Sequence, residues 1–412
     1  MNKSPRLVAL ETLYSIFYDG SYSNIALDKA LSEIKENKAF ISALVYGVTE
    51  RKITLDYFID KYAQGRIKPK VRIVLWLGAY QLLFMDKVPS SASINESVKL
   101  VKEIKQDYYS KLVNAVLHKI DNDRQIPDDL SVKYSVPENL INMWKKQYGE
   151  DVLNEFLPCI NDKPPLFAIP NKKFVNSDEL LYELECDGIL GEAYDEFVLI
   201  ENANDLTDSK AFKNGLFYIE DLSSFNCANA LDALGDDLVL DMCSAPGGKA
   251  FTISQHMNNS GKIYCYDLHE HRLNLIKNSA KRLSIDNIYT DVNDATVYNE
   301  NIPKADKILC DVPCSGFGII RRKPEIRYKD LDSVKDLPQI QYKILETSSR
   351  YLKNGGRIIY STCTLNKKEN ENVVNKFLKD HSGYKLLKDK TVFPSTVGGD
   401  GFYYAIMVKN EN

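Results

Sequence analysis

The chain has 412 residues, 44% of them hydrophobic and 27% charged, with a formal net charge of −4. That length allows two or three domains, and no run approaches the ~18 uninterrupted apolar residues that a membrane span needs. The acidic balance does not advertise nucleic-acid binding, so any such binding must rest on local patches.

The start, Met1-Asn2-Lys3-Ser4-Pro5-Arg6-Leu7, runs straight into helical periodicity and shows no secretory signal. Residues 1–133 read as nearly all helix. Leu7, Leu10, Leu13, Ile16 and Phe17 recur at helical spacing, as do Val71, Val74, Leu75, Leu77, Leu82 and Leu83. Ser93-Ile94-Asn95-Glu96 has the form of a capping box opening a helix at Ser97. Several amphipathic helices joined by short polar turns predict a bundle. Over 134–222, Pro137, Pro158, Pro164, Pro165 and Pro170 break the chain into short pieces. Leu166–Ile169 and Gly215–Ile219 predict strands and Ser177–Leu184 a helix, together a small α+β module. From 223 to 412 apolar runs (Leu238–Met242, Ile263–Tyr266, Lys307–Leu309, Arg357–Tyr360) alternate with helical segments such as Arg272–Leu283 and Gln339–Leu352. That alternation predicts a doubly wound, mostly parallel α/β sheet.

In such sheets ligands bind beyond the carboxyl ends of the strands, near the switch in strand order. Asp241 ends the first strand, and the chain then turns tightly toward a helix beginning near Ala250. Cys243, Ser244, Ala245, Pro246, Gly247, Gly248 and Lys249 are the candidate ligand contacts in that turn. Gly247 and Gly248 let the backbone approach a ligand where a Cβ would intrude, although the spacing is not G-x-G-x-x-G. The second strand ends in Asp267, where an acid can accept from two ribose hydroxyls. Arg272 and Asp311 join the candidate set, as does Asp294, whose pair Asn293-Asp294 is placed to reach an adenine edge. Helix capping is the competing reading for Asp267 and Asp294 taken singly; the loop beside them favours ligand contact.

Eight cysteines stand in the chain and none has C-x-x-C spacing, so no metal is expected and the thiols are expected to be reduced. Cys265 and Cys310 lie in strand runs and read as core; Cys243, in the loop, reads as packing. Cys314, in Asp311-Val312-Pro313-Cys314-Ser315-Gly316, and Cys363, in Ser361-Thr362-Cys363-Thr364, each sit just past an apolar run. Carbon 5 of cytosine is a poor nucleophile. A thiolate adding at carbon 6 makes the ring enamine-like, so carbon 5 can attack a methyl sulfonium; a base then takes the carbon 5 proton and elimination frees the thiol. Asp311 can serve the N3 and exocyclic amino edge, and Pro313 stiffens the turn. A reactive thiol needs nearby positive charge or a helix terminus, and Lys249 is one candidate source. A pair of buried core cysteines is the competing reading.

These motifs, from Asp241 to Lys249, Asp311 to Gly316 and Ser361 to Thr364, with Gly399-Asp400-Gly401-Phe402-Tyr403, resemble those of the bacterial Sun/RsmB family of 16S ribosomal RNA (cytosine-5) methyltransferases. The resemblance covers nearly the whole chain. Leu44–Arg51 and Leu112–Leu117 resemble the family's NusB-like extension, and Tyr218–Ser224 its lead-in to the catalytic domain, with Glu220 where Gln is usual. Ile169-Pro170-Asn171 stands where the family commonly has Arg-x-Asn. The resemblance implies a multidomain chain: a NusB-like all-α RNA-binding bundle (1–133), a small α+β RNA-binding module (134–222) and an α/β Rossmann-like class I methyltransferase domain (223–412). It implies S-adenosyl-L-methionine as cofactor, Cys363 as the nucleophile and Cys314 as the residue that helps the adduct break down. A cytoplasmic monomer acting on 16S ribosomal RNA, with no membrane and no metal, is the expectation.

A base to be modified must be unstacked, which favours single-stranded or loop RNA. Arg321-Arg322-Lys323-Pro324-Glu325-Ile326-Arg327-Tyr328-Lys329 follows the Cys314 turn and combines basic residues with an aromatic. Arg321, Arg322, Lys323 and Arg327 are therefore candidate phosphate contacts. Arg66–Arg72 is a second basic patch; a solvated face is the competing reading for both. The same chemistry on transfer RNA, and a non-catalytic RNA-binding or antitermination factor, are the rival functions; donor binding separates the second from an enzyme.

Overall fold

The structure is a computed structural model that describes residues 3–411 apart from 33, 203–205 and 395–397. Two compact units divide the chain, Met1–Asp162 with Ile320–Asp330, and Lys163–Ile319 with Leu331–Asn412.

The first unit is helical. Helix Pro5–Tyr18 opens where the Ser4 hydroxyl accepts from the Leu7 amide, with proline at the first helical position, and it buries Val8, Leu10, Leu13 and Ile16. Helices Lys38–Tyr62 and Pro69–Phe84 supply most of the remaining core, including Leu44, Val48, Phe58, Val74 and Leu75. The expected capping box at Ser93–Glu96 is not a helix start. That helix runs Ser90–Glu103 and begins straight after Pro89, so Ser93 lies inside it and its carbonyl accepts from the Ser97 hydroxyl at 2.8 Å. Helices Leu130–Tyr134, Glu138–Tyr148 and Glu150–Phe156 also belong to this unit, so the division falls after Asp162 and not at 133. Pro137 does not break the chain there; it precedes the first residue of helix Glu138–Tyr148, where a missing N–H costs nothing.

The second unit carries two sheets. Strands β1 (Leu166–Pro170), β2 (Gly191–Ala193), β3 (Val198–Ile200) and β4 (Phe217–Ile219) form a small antiparallel sheet in the order β2-β3-β1-β4. Helix Ser177–Cys186 of this part opens with a true capping box between Asn176 and Glu179. The larger sheet comprises β5 (Leu238–Asp241), β6 (Lys262–Asp267), β7 (Ile288–Val292), β8 (Ala305–Asp311), β9 (Leu352–Thr362), β10 (Tyr384–Val392) and β11 (Phe402–Lys409). Its order is β10-β11-β9-β8-β5-β6-β7, parallel from β9 to β7 and antiparallel at β11 and β10.

Apart from the edge strand β7, the parallel strands are largely buried on both faces, which is why they read as apolar runs. Val239, Leu309 and Ile359 pack on one side; Leu240, Ile308, Cys310, Ile358 and Tyr360 pack on the other. The order reverses at β5, which lies between β6 and β8. Registers Asp241↔Leu309 and Asp311↔Ser361 bring the carboxyl ends of β5, β8 and β9 to one edge of the sheet. No helix among the described residues is long and apolar enough to cross a membrane.

Candidate active site

After β5 the chain turns on itself and enters helix Gly248–His256. The Ser244 amide donates to the Tyr266 carbonyl at 2.8 Å and the Ser244 hydroxyl to the Asp241 carbonyl at 2.7 Å, which fastens the turn to β6 and to its own strand. Gly247 has a φ of +112°, a conformation open to glycine, and a Cβ there would stand 2.8 Å from the Phe251 ring. The turn borders a cavity of about 210 Å³, lined among others by Glu220, Asp241, Ser244, Pro246, Lys249 and Asp311.

Three acids and one base meet there. The Lys249 ammonium donates to Asp311 Oδ2 at 2.7 Å, and the Ser361 hydroxyl donates to Asp311 Oδ1 at 2.8 Å. Burial alone would lower the Lys249 pKa, but Asp311 and Glu220 carry it well above its ordinary value. Burial, and then the charge of Asp311, pushes Asp241 up to about 7 against the pull of Lys249. Burial pushes Glu220 up to about 7 as well, although Lys249 opposes it and the Thr252 hydroxyl donates to its Oε2 at 2.5 Å. Two buried polar atoms have no hydrogen-bond partner among the described residues: Asp241 Oδ1, in the cavity wall, and Asn293 Nδ2, directly after β7. An unfilled acceptor in the cavity wall and an unfilled donor past the end of a neighbouring strand fit a ligand that offers both kinds of group. S-adenosylmethionine, with its amino, hydroxyl and adenine groups, is the cofactor these residues fit.

Asp267 is buried at the end of β6, where it accepts from the His269 amide at 3.1 Å and pairs with Arg272 at 3.0 Å. Arg272 also donates to the Ala245 carbonyl at 2.9 Å, so it ties the turn to the Asp267 carboxylate. Asp294 Oδ1 accepts from the amide and hydroxyl of Thr296, at 2.9 and 2.6 Å. Each aspartate thus accepts from the amide two residues on without capping a helix: helix Glu270–Arg282 has His269 at its N-cap and no side-chain bond there, and no helix follows Asp294 directly.

The two cysteines sit at the neighbouring ends of β8 and β9, half-buried, with their sulfurs 3.3 Å apart. That is far beyond the ~2.05 Å of a disulfide and within reach of a thiol hydrogen bond. The hydrogen bond with Cys363, followed by burial and the charges of Glu369 and Asp311, pushes the Cys314 thiol well up. The expected activation by Lys249 is therefore not what governs Cys314: that ammonium is committed to Asp311. Cys265 and Cys310 are fully buried in the core, as expected of strand cysteines. Burial holds the Cys243 thiol well up too, so it lines the cavity as a neutral thiol. The late glycine motif serves the Cys314 loop directly. The Gly401 amide donates to the Gly318 carbonyl at 2.9 Å, and a Cβ on Gly318 would stand 1.9 Å from the Gly401 oxygen.

Glu220, Ser361 and Glu369 are not among the candidate site residues read from the sequence. Glu220 left a trace, as glutamate where glutamine is usual. Glu369 left none, because Lys367-Lys368-Glu369-Asn370-Glu371 looks like a solvated charge run.

The basic segment 321–329 divides. Arg327 is fully buried within the helical unit, where its guanidinium donates to the Glu50 and Ser135 carbonyls and to Asn161 Oδ1 at 2.9, 3.1 and 2.8 Å. A guanidinium spent on carbonyls offers nothing to a phosphate, so the expectation of an Arg327 phosphate contact is corrected. Arg321 is also buried, with 7% exposure, so its expected phosphate contact is corrected as well. Arg322 and Lys323 are half-buried. Among the described residues no cluster of His, Cys, Asp or Glu is placed to hold a metal ion.

A mixed sheet that reverses its order at β5, with a glycine turn and an acid-lined cavity at that reversal, defines a Rossmann-like methyltransferase. Residues 228–408 match the family described as 16S rRNA methyltransferase RsmB/F, and residues 3–122 match the NusB family. The probable ribosomal RNA small subunit methyltransferase B of Bacillus subtilis is 33% identical, covering 98% of this chain and 99% of its own. A protein of the same description from Synechocystis is 30% identical over 93% of this chain and 90% of its own. Among solved structures, the crystal structure of PH0851 superposes with a TM-score of 0.83 at 26% identity, over 99% of this chain and 100% of that one. The chain belongs to the RsmB/F methyltransferase family, with a NusB domain at its N-terminal end.

Proposed function

We propose that the chain transfers the methyl group of S-adenosylmethionine to carbon 5 of a cytosine in small-subunit ribosomal RNA, through a covalent cysteine adduct. The observation that carries this reading is the pair of thiols, 3.3 Å apart at the ends of β8 and β9, next to Asp311 and the donor cavity. Bound S-adenosylmethionine supplies an electrophilic methyl group on a sulfonium.

The remaining steps fall to this chain. Cys363 adds to carbon 6 and forms a sulfur–carbon bond, while the ring's electron pair moves to carbon 5. Asp311, held by Lys249 and Ser361, faces the N3 and exocyclic amino edge. Once carbon 5 has taken the methyl group, with the electron pair of the broken bond staying on the donor sulfur, water accepts the carbon 5 proton and cleavage of the bond to Cys363 restores the aromatic ring, the pair of that bond returning to the Cys363 sulfur as a thiolate. Cys314 keeps its proton because its pKa is pushed up, so it is the donor of the thiol pair. A donor at that distance stabilises the charge on the departing Cys363 sulfur, which is the physical content of a role in product release.

The assignment of Cys363 as nucleophile and Cys314 as release residue is supported by the family motifs together with this geometry. Cys243–Lys249, Asp267, Arg272, Asp294 and Asp311 are the proposed donor contacts, and Arg322 and Lys323 the proposed phosphate contacts. The substrate reading comes from the relatives, whose names specify small-subunit ribosomal RNA. Transfer of labelled methyl to small-subunit ribosomal RNA lacking the modification, with transfer RNA in parallel, tests it. Label recovered as 5-methylcytosine in the ribosomal RNA alone is the expected result. Label in transfer RNA alone would overturn the substrate, and absence of donor binding would overturn the enzyme.

A further inference from the structure

Resting on the reading of Cys314 and Cys363 as the working pair, we propose that Glu369 is a positioning residue for the reaction. Its carboxylate locks the loop that carries Cys314 to the loop that carries Cys363, and so sets the distance between the two thiols.

Glu369 has no exposed surface, a rare state for a glutamate unless it is fully partnered. It is fully partnered. Oε1 accepts from the Ser315 hydroxyl at 2.6 Å and from Asn366 Nδ2 at 2.8 Å. Oε2 accepts from the Ser315 amide at 2.8 Å and from Gln341 Nε2 at 2.9 Å. Ser315 directly follows Cys314, and Asn366 lies three residues beyond Cys363, so one carboxylate spans both loops. Gln341 comes from the helix Leu337–Ser349, and its amide nitrogen also donates to the Pro313 carbonyl at 3.0 Å. That places a third element behind the turn immediately before Cys314.

Secondary ties run the same way. The hydroxyls of Ser315 and Thr364 are 2.7 Å apart, the Phe317 amide donates to Thr364 Oγ1 at 3.2 Å, and the Gly318 amide donates to the Cys363 carbonyl at 3.1 Å. On its main chain, Glu369 accepts from the Tyr360 hydroxyl near the end of β9. Asn370 bridges the Thr362 hydroxyl, at 2.6 Å, and the Thr364 carbonyl, at 2.9 Å. Both flanks of Cys363 are therefore anchored to the segment 369–370.

The chemistry asks for a carboxylate at this point. All four groups bonded to the Glu369 carboxylate, three side-chain and one main-chain, donate, and only a carboxylate accepts at both of its oxygens. A glutamine of nearly the same size would turn an NH₂ group toward two donors, and one side of the clasp would open. The consequence for the thiols is geometric. A misplacement of ~1 Å at a reacting group costs about a hundredfold in rate, and here two sulfurs from different loops must act on the same bond.

The thiol pair itself provides a readout that needs neither RNA nor methyl donor. Diamide oxidises two neighbouring thiols to a disulfide and is itself reduced to the hydrazine, so the rate at which the Cys314–Cys363 linked peptide forms reports the approach of the sulfurs. In folded Glu369→Gln we expect linking to slow by at least about tenfold, with kcat for methyl transfer falling in parallel and KM for S-adenosylmethionine unchanged. A merely structural glutamate would lower the melting temperature but leave linking and kcat per folded molecule at the wild-type level. Linking at the wild-type rate in Glu369→Gln overturns the proposal. Should Glu369→Gln fail to fold, Gln341→Leu and Ser315→Ala each remove a subset of the same hydrogen bonds, and unchanged linking in both overturns it. Slowed linking in a protein whose wild type methylates no RNA would uphold the clasp and remove the catalytic reading that it serves.

Discussion

The donor cavity and the cysteine loops occupy adjacent strand ends of one sheet, yet they treat buried charge in opposite ways. In the cavity Asp241 leaves Oδ1 bare, and Asp241 and Glu220 are both pushed up to about 7. Around the cysteines, Glu369 is equally buried, but each of its oxygens accepts two hydrogen bonds. A buried group without its partner costs roughly 1–3 kcal/mol, and a satisfied network gains rigidity. The cavity therefore keeps its polar capacity unspent, as befits a site whose occupant must enter and leave. The loops spend theirs in holding two sulfurs at one spacing.

The sharpest way to separate the two halves is to delete a thiol. Cys363→Ala is expected to lower methyl transfer by at least about three orders of magnitude, because no other step can prepare carbon 5. Equilibrium binding of S-adenosylmethionine should stay within error of wild type, since the cavity wall is untouched. Turnover retained in that variant would sink the nucleophile assignment. Cys314→Ala should instead accumulate a covalent RNA adduct, visible as a denaturation-resistant band. A fully active variant without adduct would refute its release role.

Arg327 extends the comparison to a satisfied charge of the opposite sign. Its guanidinium holds carbonyls at Glu50, Ser135 and Pro324 together with the Asn161 side chain. Arg327→Ala would strand those acceptors and leave a cavity, for a loss of roughly 3–5 kcal/mol in the helical unit. A denaturant melt followed by the far-ultraviolet helix signal would register it. A change below about 0.5 kcal/mol would show that solvent replaces the guanidinium without penalty.

In the donor cavity the expected effect is smaller and depends on pH. The folded pKa of Glu220, about 7, lies above its ordinary value of 4.5. Between those two values the folded chain holds a proton that the unfolded chain has released. Stability from this group is thus fully present below about pH 4.5 and is lost as pH rises through about 7. Glu220→Gln removes that titration. Relative to wild type, the variant should be more stable at pH 8, by something of the order of 1–3 kcal/mol, and nearly equal at pH 4. The slope that remains in the variant belongs to Asp241, raised in the same direction. Parallel stability curves for the two proteins would contradict the charge reading of the cavity.

How much of this was legible beforehand follows from which interactions are local. Strands β5, β6, β8 and β9 showed because burial on both faces makes continuous apolar runs, and the glycine turn showed because close approach demands glycine. Cys314 and Cys363 stood out because each follows such a run. The end of the helical unit was misplaced because Pro137 carries the same residue signal whether it breaks a chain or starts a helix. The short strands β2 and β3 have three residues each, too few for a period to register. Glu369 and Arg327 were missed or misread for one reason. Their partners lie 28–54 residues away for Glu369 at Gln341 and Ser315, and 166–277 away for Arg327 at Asn161 and Glu50, where no local pattern can reveal them.

The smallest effect concerns what remains of the basic segment. Arg322 and Lys323 are half-buried, and the Lys323 ammonium lies 5.5 Å from the Tyr22 ring centroid, an arrangement that leaves part of each side chain open to solvent. A lysine or arginine that neutralises one phosphate releases about 0.7 of a counterion from a single strand, so each should account for that much of the salt slope of RNA binding. Arg322→Ala and Lys323→Ala are thus expected to weaken RNA binding modestly and to reduce the slope of log K against log salt concentration by about 0.7 apiece. Arg327→Ala, measured on the folded fraction, should leave that slope where it was, because its charge is already committed to carbonyls. If the Arg327 variant lost the slope and the other two kept it, the distinction between a fully buried charge and a part-exposed one would fail in this segment. The contrast between the cavity and the cysteine loops would then have to rest on its own two sites.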